Sequence, residues 1–128
     1  MIKYWTTFQG SPHGYSKEKI RITLSKKHTL LLNKKAHAAL GSAAAVELLF
    51  DANRRLIGLK ATDPTKKNAF PVKVKKNSNY HVISASSFCM HFGISVESTV
   101  VFNEPEMGKD GILVLKLADA FNVTRGVR

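Results

Sequence analysis

The chain has 128 residues, 20 Lys+Arg against 9 Asp+Glu, a net charge of +11, 44% apolar residues and one cysteine. That length fits one domain, and that apolar share is ordinary for a globular protein and too high for a disordered basic tail. No apolar run approaches the roughly 18–20 residues of a membrane span, one cysteine excludes a disulfide scaffold, and the opening MIKYWTTFQG lacks a secretory layout, so a cytoplasmic protein is expected.

Residues 1–17 read as an arm whose aromatics, Tyr4, Trp5, Phe8 and Tyr15, are set among Gly10, Pro12 and Gly14. Ile20, Ile22 and Leu24 then alternate with Arg21 and Thr23, the period of a half-buried strand. Ser25 to His28 is a polar connection, and Leu30-Leu31-Leu32 a second short strand. Asn33 is placed to cap a helix over Lys34–Leu40, with Gly41 as its stop. Val46 to Phe50 and Leu56 to Leu59 form a hairpin around Asp51–Arg54.

Residues 62–69 read as a linker, after which the order recurs. Phe70, Val72 and Val74 alternate, Lys75 to Asn79 connects, and Tyr80 to Ile83 is a strand. Ser84 or Ser86 can cap a helix that ends at Phe92 and Gly93. Thr99 to Phe102 is a strand, Met107 to Gly111 a longer turn, and Ile112 to Leu117 the returning strand, with a tail over 120–128. At a constant offset of 52 positions, Ala36, Leu40 and Gly41 meet Phe88, Phe92 and Gly93, and Leu48–Asp51 meet Val100–Asn103. A four-residue insertion in the second hairpin turn then aligns Leu59-Lys60 with Leu115-Lys116. An internal duplication follows, with halves at 18–61 and 70–119.

The first half resembles the AbrB/MazE-type swapped-hairpin DNA-binding domain. The resemblance is carried by Arg21-Ile22-Thr23-Leu24, the Lys34 to Gly41 helix and the Val46–Phe50 / Leu56–Lys60 hairpin. Two such units in one chain look like the tandem arrangement of MraZ-type regulators. The resemblance implies an α+β, mainly β fold: two β-β-α-β-β units forming one pseudo-twofold AbrB-like barrel. Family members usually carry Gly-Arg at the first β-turn and Pro before the helix. This chain has Lys27-His28 and Asn33 there, and Asn77-Ser78 and Ser84 in the second half. Two small units could each bury little core alone, so one intertwined domain is expected.

Charge picks out the candidate site. Of the 20 cations, 16 lie in residues 1–80, and 15 of the 20 are Lys, which favours phosphate attraction over base-specific readout. The candidate nucleic-acid-binding residues are Arg21, Lys26, Lys27, His28, Lys34 and Lys35, joined in the second half by Lys73, Lys75, Lys76, Asn77 and Asn79. Lys17 and Lys19 extend the first cluster, and pseudo-symmetry is expected to put both clusters on one side. The asparagines could bond adenine edges or serve the backbone of a turn. Lys66, Lys67, Arg54 and Arg55 read as solubilising.

Cys89 and His91 stand two apart, a spacing that does not bring helical side chains together, so no metal site is expected. No phosphate loop, paired-carboxylate spacing or nucleophile elbow appears, so neither an enzyme nor a cofactor is expected. The reading is a DNA-binding protein, a transcriptional regulator docking a lysine-rich face on double-stranded DNA, with RNA as another nucleic-acid partner. The alternative is a protein-interaction module, antitoxin- or inhibitor-like, whose basic face and aromatic arm engage an acidic protein. Homo-oligomers are compatible with both.

Overall fold

The computed structural model describes residues 4–6 and 19–123. Phe8, Gly10, Pro12, Gly14, Tyr15 and Lys17 of the predicted arm and cluster lie outside the described residues. The fold is mixed α+β and mainly β, with two antiparallel sheets and two short helices. In chain order the elements are β1 (Ile22–Leu24), β2 (Thr29–Leu32), α1 (Lys34–Ala39), β3 (Ala45–Asp51), β4 (Leu56–Ala61), β5 (Phe70–Pro71) and β6 (Lys73–Val74). They continue with β7 (His81–Ser84), α2 (Ser86–Phe92), β8 (Val100–Val101), β9 (Glu106–Met107), β10 (Ile112–Lys116), a 3-10 turn (Leu117–Asp119) and β11 (Phe121–Asn122).

The first sheet has the order β11-β8-β1-β2-β7-β6 and the second β5-β3-β4-β10-β9. Both draw strands from both halves of the sequence. At the centre of the first sheet β2 and β7 pair over Thr29↔Ser84 to Leu32↔His81. At the centre of the second, β4 and β10 pair over Lys60↔Ile112 to Leu56↔Lys116. The apolar alternation seen in the sequence points inward from each. Ile22, Leu24, Leu30, Leu32 and Ile83 of the first sheet and Val46, Ile57, Leu59, Leu113 and Leu115 of the second share one core, closed by Ala36 and Phe88 of the helices. Several of these side chains are fully buried, and truncating one such Leu to Ala costs about 2–5 kcal/mol.

Both helices stop where glycine permits a left-handed backbone, at Gly41 (φ 71°) and Gly93 (φ 66°). Asn33 caps α1 as its sequence position predicts, its side chain accepting from the Ala36 N–H. The start of α2 differs from expectation. Its cap is Ala85, without a side-chain bond, and Ser86 is already the first helical residue. Ala85 is 1% exposed, so packing fixes this helix start where no polar cap could be buried cheaply.

The alternation Phe70, Val72, Val74 is not one strand. Val72 gives its N–H to Ala44 O, and on either side of it β5 pairs with β3 while β6 pairs with β7. The chain thus changes sheets at Pro71-Val72, where the proline has no N–H for a continuing ladder. Among the described residues the strands do not close into a barrel; the two sheets adjoin through this crossover and the shared core. The offset of 52 also fails beyond α2. Strand β10 faces Glu106-Met107 where β4 faces Leu49-Phe50, so these are counterparts, and Val100-Val101 instead pairs with β1 in the other sheet. The extra residues therefore lie before β9, around Pro105, rather than in the hairpin turn, and Met107 belongs to a strand. The predicted tail contains β11, which pairs with β8.

Candidate nucleic-acid interface

The two lysine-rich connections are tight hairpin turns built by serines. In the first, Ser25 Oγ accepts from Lys27 N at 3.2 Å and Thr29 N at 3.1 Å, and His28 completes the turn at φ 65°. In the second, Ser78 Oγ donates to Lys75 O at 3.1 Å and accepts from Tyr80 N at 3.0 Å, with Asn77 at φ 61°. Asparagine is among the few residues that enter the left-handed region readily, so the turn itself explains Asn77. Neither serine is among the predicted site residues, although Ser in a short polar connection is a signal for such a turn.

The turns do not fall side by side. Because β2 and β7 are antiparallel, the first turn leaves the sheet at the Thr29–Ser84 end and the second at the Leu32–His81 end. Strand rise places their tips on the order of 30 Å apart. The second end gathers more of the predicted residues than the repeat suggested. Arg21 lies there because Ile22 pairs with Leu32 and Asn33 N donates to Arg21 O at 3.0 Å. Lys34 and Lys35 lie there because α1 starts directly after β2, and Lys75, Lys76, Asn77 and Asn79 arrive on the β6–β7 turn. Only Lys26, Lys27 and His28 occupy the opposite end, and Lys73, paired with Val82, lies between the two. The seven lysines and Arg21 among these residues are all exposed, and His28 is half-buried.

Charge is sorted between the two hairpins that carry the lysine-rich turns and the second sheet, while Glu97, Glu104 and Asp119 flank β8 and β11. Segments 21–32 and 73–84, which contain β1, β2, β6, β7 and their turns, hold six Lys/Arg and no carboxylate. The second sheet and its turns carry Glu47, Asp51, Glu106 and Asp110 alongside Arg54, Arg55, Lys60 and Lys116. Arg55 lies 5.7 Å over the Phe50 ring, away from the basic end.

A pair that the sequence did not suggest borders the basic end. His37 of α1 stacks on His81 of β7, ring centroids 3.7 Å apart, and His37 Nε2 is 2.9 Å from Ala43 O. His81 Nδ1 is buried without a hydrogen-bond partner. Burial, and then the facing His37, hold the His81 imidazole below its ordinary value. The two rings are 44 positions apart in the chain, so no spacing pattern announces the contact. Cys89 is buried in the core, and burial pushes its thiol up, the condition of an inert cysteine. His91 is exposed, so the two do not converge. No group of three or more His, Cys, Asp or Glu able to hold a metal ion occurs among the described residues. None of their helices is long and apolar enough to cross a membrane. No family model, no curated protein and no solved structure matches this chain.

Proposed function

We propose that the protein docks on double-stranded DNA through the sheet whose strands carry no carboxylate, and that it acts as a regulator of the AbrB-like swapped-hairpin class. One observation carries the first part. Arg21, Lys34, Lys35, Lys75 and Lys76 come from three separate segments to one end of a sheet whose strands carry no acidic residue. A lysine surface serving only solubility has no reason to be sorted from the carboxylates in this way. Lysines on rigid hairpin turns and on the first turn of a helix present point charges to phosphates without giving sequence information. The swapped-hairpin class is supported by the exchange of strands, with both sheets drawing β-strands from both halves.

The test is fluorescence anisotropy with random-sequence duplex DNA at rising salt. Each neutralised phosphate contributes about −0.9 to the slope of log K against log salt, so five or six engaged cations predict a slope of roughly −5. Absence of salt-sensitive binding even at low ionic strength would sink the proposal. Equal binding to duplex RNA would retain the basic face but reject DNA as its particular partner.

A further inference from the structure

The outer face of the second sheet carries an apolar groove of about 360 Å³ whose walls include Leu49, Leu56, Ile112 and Val114. Gly58 forms its floor. The backbone there does not enter the left-handed region that calls for glycine, so space explains the residue. A β-carbon would sit 2.7 Å from Ile112 Cγ2, and any larger side chain would fill the trough.

Strand register sorts this face into rows, because alternate residues of a strand point the same way. The middle row is Leu49, Gly58 and Val114 across β3, β4 and β10. On one side of it lie Glu47, Lys60 and Ile112, and on the other Asp51, Leu56 and Lys116. The residues between them along the strands, such as Leu48, Ile57 and Leu113, belong to the core or pack against it, so these rows point away from it. Charge is sorted across the strands as well. Both carboxylates stand on β3, while the lysines stand on β4 and β10.

We infer that this face packs against the same face of a second copy, about a twofold axis that runs along β4. Such an axis lays β3 of one copy over β10 of the other, row on row. Asp51 then meets Lys116 of the second copy, Leu49 meets Val114, and the trough above Gly58 takes the Leu49 side chain that stands over it. The other face-to-face arrangement, with the axis across the strands, puts Glu47 over Asp51 and Ile112 over Lys116 of the second copy. That opposes two carboxylates and sets an ammonium on apolar surface, so charge selects the first. Lys60 lies near the chosen axis, but it is exposed and has Glu47 beside it on β3. A second copy is the occupant because the face complements itself in both sign and shape. Three strands about 4.8 Å apart make a small interface, so the association belongs to the weak class. The contact does not depend on DNA binding, because the core separates this face from the sheet that bears the lysine-rich turns.

The full chain is followed by sedimentation equilibrium at concentrations up to about 1 mM. The salt is held near 0.15 M, where the repulsion of two chains of net charge +11 is screened within about 8 Å. The expected result is an average mass that rises with concentration from that of one chain toward that of two. Leu49 is 39% exposed, so Leu49→Arg keeps the fold, which thermal melts verify, and it weakens the association at least about tenfold. Asp51→Lys alone and Lys116→Asp alone each oppose like charges at both edges of the interface, and each weakens it. Mixing these two variants restores association, because every such contact in the mixed pair again sets a lysine against an aspartate. Only folded chains can rescue one another in this way, so a folding defect does not mimic the result. A monomer at every concentration overturns the inference and means that the groove serves another segment of the chain or a different protein. So does association that Leu49→Arg leaves unchanged, or a mixture of the two charge variants that associates no better than either alone.

Discussion

Asn33 ties more of this chain together than its role as a helix cap requires. Its Oδ1 accepts from Ala36 N at 2.9 Å and from Arg21 N at 3.1 Å, and its Nδ2 donates to Lys19 O at 2.8 Å. The residue is 3% exposed and its bond to Ala36 N is buried, so water replaces that partner poorly if the amide is lost. Asn33→Ala is expected to lower stability by about 2–3 kcal/mol, more than a solvent-exposed cap, because the loss of the cap is joined by an unpaired strand N–H and C=O. Asn33→Asp keeps the acceptor but not the donor to Lys19 and should fall between the two, as urea denaturation will show. His28 gives the opposite sign. At φ 65° it occupies a conformation that costs an L-residue roughly 1–2 kcal/mol. After the added chain entropy of glycine, His28→Gly is expected to stabilise the fold by up to about 1 kcal/mol. A melt showing His28→Gly less stable than the parent would mean that the imidazole makes up the difference. The capping role of Asn33 was readable from its place before Lys34. Its ties to Lys19 and Arg21 were not, because local spacing does not report contacts made across a strand pair.

At the scale of elements, periodicity served where a strand is long and faces one core, and failed where it is short or changes sheets. Strands β2, β3, β4 and β10 and both helices fall close to their predicted positions, since each buries alternate or i, i+3 residues in the same core. Phe70-Pro71 and Lys73-Val74 keep the alternation yet belong to different sheets, and β11 has only two residues to announce it. The contact between α1 and β7 also lay beyond sequence patterns, and it has a consequence for acid stability. The folded state holds the His81 imidazole below its ordinary value through burial and the adjoining His37, while the unfolded chain titrates near the ordinary 6.5. The unfolded state then binds more protons as the pH falls, so the contribution of His81 is complete above about 6.5 and is lost as pH drops through the lower folded value. Urea midpoints should therefore decrease from pH 7.5 to 5.5. In His81→Phe, which retains a ring against His37, part of that decrease should disappear. An unchanged pH dependence would place the acid-sensitive group elsewhere.

For the whole molecule, the sequence located the positive charge but not its grouping. A duplication read along the chain suggests two equivalent clusters on one side. The antiparallel pairing of β2 and β7 sends the two turns to opposite ends and instead unites the second turn with Arg21, Lys34 and Lys35. This asymmetry makes unequal demands on the lysines, and pairwise neutralisation can measure it. If the crowded end is the principal docking surface, Lys34→Gln with Lys35→Gln, and separately Lys75→Gln with Lys76→Gln, should each reduce the magnitude of the salt slope by about 2. Lys26→Gln with Lys27→Gln should have a smaller effect, because that end supplies fewer neighbouring cations and a duplex docked at the crowded end need not reach it. Arg54→Gln with Arg55→Gln removes the same formal charge from the turn between β3 and β4, on the sheet that also carries Glu47 and Asp51. That pair should leave the slope unchanged. All four double variants have the same net charge, so a common reduction in affinity across the set would show that net charge alone governs binding. A reduction confined to the Lys34/Lys35 and Lys75/Lys76 pairs would show that the grouping made by the fold governs it.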